Sequence, residues 1–550
     1  MEIRIKKDPR AEFVTVYADS PLTIEELVSR EQDKPEYTVL AAKKNNTVVP
    51  LTQIIDRDCS IEYLDMRNQA ANLIYQNSVI MIYLRACRDV LGDMVIDVRN
   101  SISKGLFTVA ERILDDNEIE AIESRMRELI AEDIPFVLEE VSGKEAAERF
   151  AANNEPEKLE LISRHTERVR FYSLDGYTGF FYGMMVPSTG YIEHFELKKY
   201  RDGIVVRFPH PKNPSVIPEY VEEYKMHDTF IEATKWQDIL GVQFVSDLNR
   251  KIETGEYRDL IQLSEALHEK KIAQIADMIT EQKKRIILIA GPSSSGKTTF
   301  ARRLCVQLRV NGLHPLYLGT DDYFVERKDA PLDEYGEKDF ESLASVDVEL
   351  FNSNMNDLLE GREVDLPEFD FITGCKVFGK RITRLKEGEP VVIEGIHALN
   401  DDLTPYIDAD EKFKIYISPF TQLNIDRHNR IPTTDARMLR RMARDFQYRG
   451  YSAQDTIRQW PKVRAGEDRN IFPFSNCADV LFNSVHVYEL SVLKKYVWPL
   501  LWQIKPDEPE YCEAVRLIKF LSYFKSIEDD SVIVNNSILR EFIGGSIFVD

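Results

Sequence analysis

Residues 285–299 have the sequence RIILIAGPSSSGKTT, and this stretch decides the fold of the C-terminal half of the chain. The apolar run after Arg285 has the length and composition of a buried parallel strand, and the residues from Gly291 onward match the pattern GxxxxGK[ST]. A helical pattern, TTFARRLCVQLRVNG, begins at Thr298. Strand, glycine loop and helix in this order predict a phosphate-binding loop in a parallel α/β sheet.

The loop residues are of the types that binding a polyphosphate requires. Glycines let backbone N–H groups converge on phosphate oxygens without a Cβ clash, and the amino end of the following helix adds positive potential. The Lys297 ammonium can reach the β- and γ-phosphates, and the Thr298 hydroxyl can ligate Mg²⁺. No Asn-Lys-x-Asp guanine-binding motif follows the loop, so guanine specificity is disfavoured. The predicted nucleotide-binding residues are Gly291, Pro292, Ser293, Ser294, Ser295, Gly296, Lys297, Thr298 and Thr299.

A second predicted strand, PLYLG at 315–319, ends in a pair of carboxylates. The next residues are Thr320-Asp321-Asp322-Tyr323-Phe324. A carboxylate at the carboxyl end of a strand beside the phosphate-binding loop would face the phosphates. It could accept a proton from a substrate hydroxyl during phosphoryl transfer. An exposed Asp-Asp turn is the alternative interpretation of this pair.

Residues 435–450, DARMLRRMARDFQYRG, place four arginines on one face if they are helical. Like charges at these spacings repel each other by about a few tenths of a kcal/mol per pair, so the face suits either free solvent or a visiting anion. Beside a phosphate-binding loop, the helix would be a lid whose guanidiniums close on the transferring phosphoryl group. The arginines are Arg437, Arg440, Arg441 and Arg444, at i, i+3, i+4 and i+7.

Composition excludes several classes of protein. The chain has 550 residues, 71 Lys+Arg and 93 Asp+Glu, and a formal net charge of −22. Its 43% hydrophobic content excludes a disordered chain, and its acidity disfavours a protein that coats nucleic acid or an anionic membrane. The absence of a long apolar run and of a signal-like N-terminus, together with six scattered cysteines, predicts a cytoplasmic protein with no membrane segment.

Five segments are predicted from patterning along the chain. Residues 1–62 have a β-β-α-β-β order with a turn at Lys-Asn-Asn, and residues 63–235 are mixed α+β. Residues 236–284 have a helical pattern and are interpreted as a connecting linker. Residues 285–500 would form the parallel α/β domain, and residues 501–550 a C-terminal docking tail.

Successive motifs of the C-terminal half resemble the uridine kinase and phosphoribulokinase family in the family's order. They are LGTDDYF, KDFESLASVDVELF, PEFDFITG, VVIEGIHAL and DARMLRRMARDFQYRG, and the match covers about residues 285–500. The resemblance implies that Asp321 is the general base, and that Lys297, Arg437 and Arg441 act on the phosphoryl group. It implies that Glu394, with Thr298, holds Mg²⁺. The implied substrate-binding residues are Asp321, Tyr323, Glu341, Phe369, Phe371 and Arg444.

The N-terminal half has two further resemblances. Residues 1–62 resemble a TGS domain, the β-grasp module of threonyl-tRNA synthetases, some GTPases and ppGpp enzymes. Residues 63–235, through NLIYQNSVIMIYLRACRDVLG and VPSTGYIEHFELKKYRDGIVVRFPHP, resemble the second N-terminal domain of threonyl-tRNA synthetases. That family's HxxxH pair would fall near Tyr75 and Val79, and its CxxxH pair near Phe180 and Met184. These side chains cannot bind a metal or move a proton, so the domain is interpreted as a scaffold without the site.

The predicted protein is therefore a multidomain α/β nucleoside kinase that transfers the γ-phosphoryl group of ATP to a 5′-hydroxyl. Gly374 stands where the uridine kinases have a base-contacting histidine, so the nucleoside is left open. Two alternatives remain: a sugar-phosphate kinase resembling phosphoribulokinase, and a nucleotide-dependent switch that binds RNA or the ribosome. A nucleoside is the expected partner, RNA is not favoured, and a homo-oligomer is left open.

Overall fold

The structure is a computed structural model that describes residues 1–30, 35–162, 168–332, 336–421 and 423–549. Within these ranges the strands form six sheets, of which the largest parallel one lies in the C-terminal half. The mixed α/β architecture agrees with the predicted fold class. None of the helices in the described ranges has both the length and the apolar character that crossing a bilayer demands.

The N-terminal unit is a mixed five-stranded sheet with one helix. Its strand order is β2-β1-β7-β4-β5, with β1 and β7 parallel. Ile3, Ile5 and Ile61 alternate along their strands and are 0% exposed, so one face of the sheet packs against the helix as the period of two requires. Asn45 and Asn46 have positive φ in the predicted turn. The elements are β1 (Glu2–Lys6), β2 (Val14–Tyr17), β3 (Leu22–Thr23), α1 (Ile24–Arg30), β4 (Ala41–Lys44), β5 (Thr47–Val49), β6 (Ile54–Ile55) and β7 (Cys59–Leu64).

The second region is built on the long helix α2 and two antiparallel sheets. The four-stranded sheet β13-β14-β9-β8 packs against α2 and α3, whereas the three-stranded sheet β10-β11-β12 contributes to the core of the C-terminal half. The elements are α2 (Gln69–Leu91), β8 (Ile96–Ile102), β9 (Gly105–Ala110), α3 (Asp116–Ala131), β10 (Val137–Val141), α4 (Gly143–Ala152), α5 (Pro156–Ile162), β11 (Val169–Leu174), β12 (Tyr177–Phe180), β13 (Glu196–Tyr200) and β14 (Gly203–Arg207).

The segment predicted as a helical linker is helical, but it does not merely connect two domains. It contains only the end of α6 (Tyr224–Leu240), together with all of α7 (Val245–Glu253) and α8 (Tyr257–Glu281). Ile272 and Ile275 of α8 are 0% exposed and belong to the same hydrophobic core as the strand before the phosphate-binding loop. The apolar face of α8 is therefore part of the C-terminal domain.

The C-terminal half contains a five-stranded parallel sheet in the order β16-β19-β15-β20-β21. Ile287 and Ile289 of β15 point into one core and Leu288 into the other, because helices cover both faces of the sheet. This explains why the strand is apolar at every position. The elements are β15 (Ile286–Ala290), α9 (Lys297–Val310), β16 (Leu316–Gly319), α10 (Val348–Leu359), β17 (Val364–Asp370), β18 (Cys375–Thr383), β19 (Val391–Glu394), β20 (Lys412–Ser418), α11 (Thr433–Arg449), α12 (Ala453–Asn470) and β21 (Val480–Asn483).

The predicted C-terminal tail is packed into this half rather than projecting from it. The last helices are α13 (Glu489–Leu501), α14 (Tyr511–Ser522) and α15 (Arg540–Ile543). Ile538 and Phe542 are 0% exposed within the core shared with β15. The apolar sequence of the segment predicts that it docks on a surface. In the structure that surface belongs to the same chain.

Candidate active site

The predicted phosphate-binding loop runs from Gly291 to Thr299 at the carboxyl edge of the parallel sheet, and α9 begins inside it at Lys297. A Cβ at Gly291 would overlap the Ile417 carbonyl oxygen of β20, so only glycine allows this close approach. Gly296 has a φ of +87°, a conformation that side-chain-bearing residues rarely adopt. Both glycines of the motif are therefore required by the backbone itself.

Two arginines of α11, which we call the arginine clamp, donate hydrogen bonds to carbonyl oxygens of the loop. Arg437 Nε donates to the Ser293 carbonyl oxygen at 3.1 Å. Arg440 Nη1 donates to the carbonyl oxygens of Ser294 and Ser295 at 3.3 and 3.4 Å. The carbonyl and N–H of a planar peptide point in opposite directions, so holding these carbonyls turns the Ser294 and Gly296 N–H groups to the other side, whereas the Ser295 N–H donates to the Pro292 carbonyl oxygen at 3.2 Å. The clamp therefore organises the loop for an anion.

Both clamp arginines are buried and paired, which corrects the prediction of a solvated stripe or a moving lid. Arg437 is 1% exposed and forms an ion pair with Glu467, whose Oε1 also accepts from the Ser293 N–H at 2.9 Å. Arg440 is 0% exposed and its Nη2 lies 2.6 Å from Glu489 Oε2. A buried charge without its partner is costly, so these side chains are fixed supports of the loop rather than groups that meet substrate.

The other two arginines of the stripe differ from the clamp. Arg441 Nη1 donates to the Ser293 hydroxyl at 3.0 Å, which keeps its guanidinium at the loop, and its action on the phosphoryl group stays a prediction. Arg444 Nη2 instead lies 2.8 Å from Asp445 Oδ1. Asp445 also pairs with Arg441 and is 1% exposed, so it offsets the repulsion between these two arginines.

Thr298, which directly follows Lys297, and Glu394, at the end of β19, form a pair of oxygen ligands. The Thr298 hydroxyl donates to Glu394 Oε1 at 2.9 Å, and the Tyr317 hydroxyl donates to the same oxygen. Burial raises the pKa of Glu394 above its usual range. Mg²⁺ is held by one or two protein oxygens together with substrate phosphates and water, and this pair fits that requirement. Among the described residues, no group of three or more His, Cys, Asp or Glu side chains could hold a metal by itself.

The Lys297 ammonium lies at the centre of the site. Its Nζ donates to the carbonyl oxygens of Gly291 and Pro292 at 2.9 and 3.3 Å. Burial lowers its pKa, and four carboxylates act in the opposite direction. In decreasing order of effect they are Glu394, Glu541, Asp321 and Glu467.

The two predicted carboxylates after β16 have different surroundings. They lie in a 3₁₀ turn over Thr320–Tyr323. Asp322 is paired with Arg381 of β18, with an Oδ2–Nη1 distance of 2.7 Å. Asp321 is exposed, and the surrounding protein raises its pKa whereas Lys297 lowers it. Only Asp321 is therefore available to a substrate beside the phosphate-binding loop.

Tyr323 belongs to the hydrophobic core, which corrects its prediction as a substrate-binding residue. It is 0% exposed, its ring packs edge-on against Phe351 at 5.0 Å, and its hydroxyl accepts from Asn354 Nδ2 at 3.3 Å. The side chain anchors the turn that presents Asp321.

Three phenylalanines form an aromatic cluster at the turn that carries Asp321. The ring centroids of Phe324 and Phe369 are 5.6 Å apart, and those of Phe369 and Phe371 are 5.2 Å apart. Phe369 is 5% exposed and Phe371 is 60% exposed, so only Phe371 offers a free aromatic face. Glu341 lies against Gly466 of α12, and burial raises the pKa of its carboxyl.

Gly374 occupies the turn between β17 and β18 with a φ of +73°. A Cβ there would lie 2.7 Å from Arg327 Cβ, and the Arg327 guanidinium donates to the carbonyl oxygens of Phe371 and Ile372. The arginine fills the space beside Gly374.

Three polar residues of the site have no sequence motif. Tyr317 lies within β16, Glu489 begins α13, and Glu541 lies in α15, close to the end of the chain. Tyr317 bonds Glu394, Glu489 bonds Arg440 and Glu541 bonds Thr299, each over a long sequence separation, so spacing cannot reveal these contacts. The only signal for Glu541 is its place in the apolar stretch SILREFI.

In the N-terminal half, the four positions that resemble the synthetase site have no metal-binding side chain. The Tyr75 hydroxyl donates to the His194 carbonyl oxygen at 2.8 Å and accepts from the His194 N–H at 3.1 Å. Val79 and Phe180 are buried, and the Met184 backbone carbonyl accepts from Asn77 at 3.3 Å. These side chains serve packing.

Comparison with known proteins finds different relatives for the two parts of the chain. Residues 286–491 match the family described as Phosphoribulokinase / Uridine kinase family. A uridine kinase from Ligilactobacillus salivarius (strain UCC118) is 27% identical over 209 residues, which cover 36% of this chain and 85% of that protein. A solved structure of a possible uridine kinase from Bacillus stearothermophilus is 21% identical and covers 38% of this chain and 96% of its own, with a TM-score of 0.23.

The N-terminal region is similar to a threonine–tRNA ligase from Streptococcus thermophilus (strain ATCC BAA-491 / LMD-9), with 29% identity over 185 residues. The similarity covers 32% of this chain and only 28% of the ligase. The resemblance of residues 1–62 to a TGS domain stays a prediction. The C-terminal match includes the phosphate-binding loop, Asp321, Glu394 and the arginine clamp, so it is residues 286–491 of this chain that are similar to the Phosphoribulokinase / Uridine kinase family.

Proposed function

We propose that this protein is an ATP-dependent nucleoside kinase that phosphorylates a 5′-hydroxyl. The observation that carries the proposal is the convergence of Lys297, the Thr298–Glu394 pair and the exposed Asp321 at one edge of the sheet. A phosphate-binding loop alone would serve any nucleotide-binding protein. A free carboxylate beside it is what a phosphoryl transfer to a hydroxyl needs.

In the proposed reaction the bond between the γ-phosphorus and the β–γ bridging oxygen breaks, and a bond to the acceptor oxygen forms. The hydroxyl proton goes to Asp321. Lys297 and the loop N–H groups would neutralise charge on the phosphates, and Arg441, whose guanidinium bonds the loop residue Ser293, would meet the transferring group. Mg²⁺, held through Thr298 and Glu394, would supply charge neutralisation of the phosphate oxygens.

The acceptor would bind on the side of Asp321 that carries the aromatic cluster. The exposed Phe371 ring gives a nucleobase a stacking surface. The Glu341 carboxylate, half-buried against α12, can accept hydrogen bonds from sugar hydroxyls. A sugar-phosphate acceptor is the second candidate, because the Arg327 guanidinium beside Gly374 adds a cation near the same pocket.

We expect ADP release from Mg-ATP with one nucleoside in a panel of nucleosides and sugar phosphates. Lys297→Ala should lower this turnover by roughly 100-fold or more, because it removes the cation at the centre of the loop. A coupled ADP assay measures both. Turnover with a sugar phosphate alone would replace the nucleoside by the second candidate. Slow hydrolysis that no acceptor stimulates would contradict the kinase.

A nucleotide-dependent RNA-binding switch is the remaining alternative, favoured only by the similarity of the N-terminal region to threonine–tRNA ligases. We expect filter binding with tRNA to give weak retention that ATP does not change. Genuine contacts to six to ten phosphates would lose roughly 10³–10⁵-fold in affinity between about 50 and 200 mM salt. Steep salt dependence together with a response to ATP would favour the switch over the kinase.

A further inference from the structure

The C-terminal segment Ile533–Ile547 reaches the phosphate-binding loop. Ile538 lies directly over Gly296, where an added Cβ would overlap the Ile538 side chain. Glu541 is 8% exposed, and its Oε2 accepts from the Thr299 N–H at 3.2 Å and from the Thr299 hydroxyl at 2.8 Å. A carboxylate from near the end of the chain is thus bound to the amino end of α9.

This position is one that a bound polyphosphate also requires. The loop and the first turn of the following helix hold phosphates through backbone N–H groups, where the helix dipole favours an anion. In the part of the chain that the structure describes, the N–H groups of Gly296, Lys297 and Thr298 have no acceptor, whereas that of Thr299 is taken by Glu541. A carboxylate therefore occupies one of the anion-binding groups of the loop.

The charge of Glu541 is not balanced by a close basic partner. Among the described residues, no Lys, Arg or His nitrogen lies within ion-pair distance of its carboxylate. Glu541 acts electrostatically on Lys297, as do three other carboxylates. A polyanionic donor would enter a site that already holds this negative charge, and Glu541 is the carboxylate bound to the helix N-terminus itself.

Glu541 also lies outside the part of the chain that matches the kinase family, which ends at residue 491. Ile538, Leu539, Phe542 and Ile543 around it are at most 4% exposed, so the backbone of the segment is fixed in the core. The side chain of Glu541 is then the part that can yield to a ligand without unfolding the segment.

We propose that Glu541 is an intramolecular competitor for the phosphate-binding loop, whose carboxylate holds the Thr299 N–H until a phosphate of the donor displaces it. The inference rests on the proposed function, because it assumes that the loop binds a nucleotide donor. Glu541 sets the affinity for the donor and takes no part in the chemistry.

The test is the Kd for Mg-ADP, measured by isothermal titration calorimetry on the full chain. Glu541→Gln keeps an oxygen that can accept from Thr299 but removes the charge, and we expect the Kd to fall on the order of tenfold. The matched control is Glu528→Gln, which removes the same charge from an exposed position in the same C-terminal region and should leave the Kd unchanged. An unchanged or higher Kd in Glu541→Gln would show that the carboxylate merely caps the helix.

A second variant keeps the test independent of folding. Glu541→Asp retains the charge but withdraws the carboxylate by one methylene, and its Kd should lie between those of the wild type and Glu541→Gln. A Kd equal to or above the wild-type value would overturn the inference. If neither the wild type nor Glu541→Gln binds ADP, the assignment of the donor site itself fails. Equal binding by both overturns only the role of Glu541.

Discussion

Asp321→Asn should lower turnover by roughly 100- to 10,000-fold while Mg-ADP binding is retained, because asparagine cannot accept the hydroxyl proton. The substitution keeps the shape of the side chain, and Asp321 is exposed, so no packing is lost. Turnover by the coupled ADP assay and Kd by calorimetry measure the two quantities separately. A variant with near-wild-type turnover would remove Asp321 as the base.

The neighbouring Asp322 provides a matched control for this experiment. Asp322→Asn is the same chemical change one residue along the chain, but the Asp322 carboxylate is paired with Arg381. We expect its turnover to stay within a few-fold of the wild type. Comparable losses in both variants would mean that the turn, rather than the Asp321 carboxylate, carries the effect.

The pH dependence of turnover gives an independent check on Asp321. The surrounding protein raises its pKa, so the acidic limb of kcat/KM should lie above the usual aspartate value of about 3.9. The raised pKa of Asp321 also determines how this residue makes the stability of the fold depend on pH. A carboxyl that binds its proton more tightly in the folded than in the unfolded protein makes folding less favourable as pH rises through that window. Asp321→Asn should therefore raise the melting temperature at neutral pH. It should not do so at a pH below the pKa that the aspartate has in the unfolded chain.

The local signals in the sequence identify the loop and the end of β16 well, because strand, glycine turn and helix are decided by neighbouring residues. The arginines show where this reasoning ends. Their spacing correctly places Arg437 and Arg440 on one helix, but their partners Glu467 and Glu489 lie 30 and 49 positions away. A periodic pattern identifies a shared face and cannot tell whether that face meets solvent or a loop carbonyl.

The same limit applies to the end of the chain. The apolar stretch around Ile538 predicts burial, but only the folded structure identifies Gly296 as the surface that it covers. Tyr323 is the opposite case. A tyrosine close to the proposed catalytic carboxylate suggests a substrate role, but the 3₁₀ turn sends three successive side chains in different directions. Asp321 faces the site, Asp322 pairs with Arg381 and Tyr323 enters the core.

Arg440→Met should be the most destabilising of the substitutions considered. It leaves Glu489, which is 1% exposed, buried without its partner, and breaking such a pair costs about 3–5 kcal/mol in the free energy of unfolding. The melting temperature and the urea midpoint measure this loss. Arg449→Met on the same helix is the control. Its ion pair with Asp445 spans 3.6 Å and its side chain is 52% exposed, so its loss should be at most about 1 kcal/mol.

The double variant Arg440→Met/Glu489→Met separates folding from positioning of the loop. Replacing both members of a buried ion pair by apolar side chains of similar volume is often close to neutral, so most of the stability should return. The carbonyl oxygens of Ser294 and Ser295 still lack the donor that Arg440 provides. If the clamp preorganises the loop, Mg-ADP binding should remain weaker than in the wild type although the fold is restored. Recovery of both stability and Mg-ADP binding would mean that Arg440 supports only the fold, and that the loop keeps its shape without this arginine.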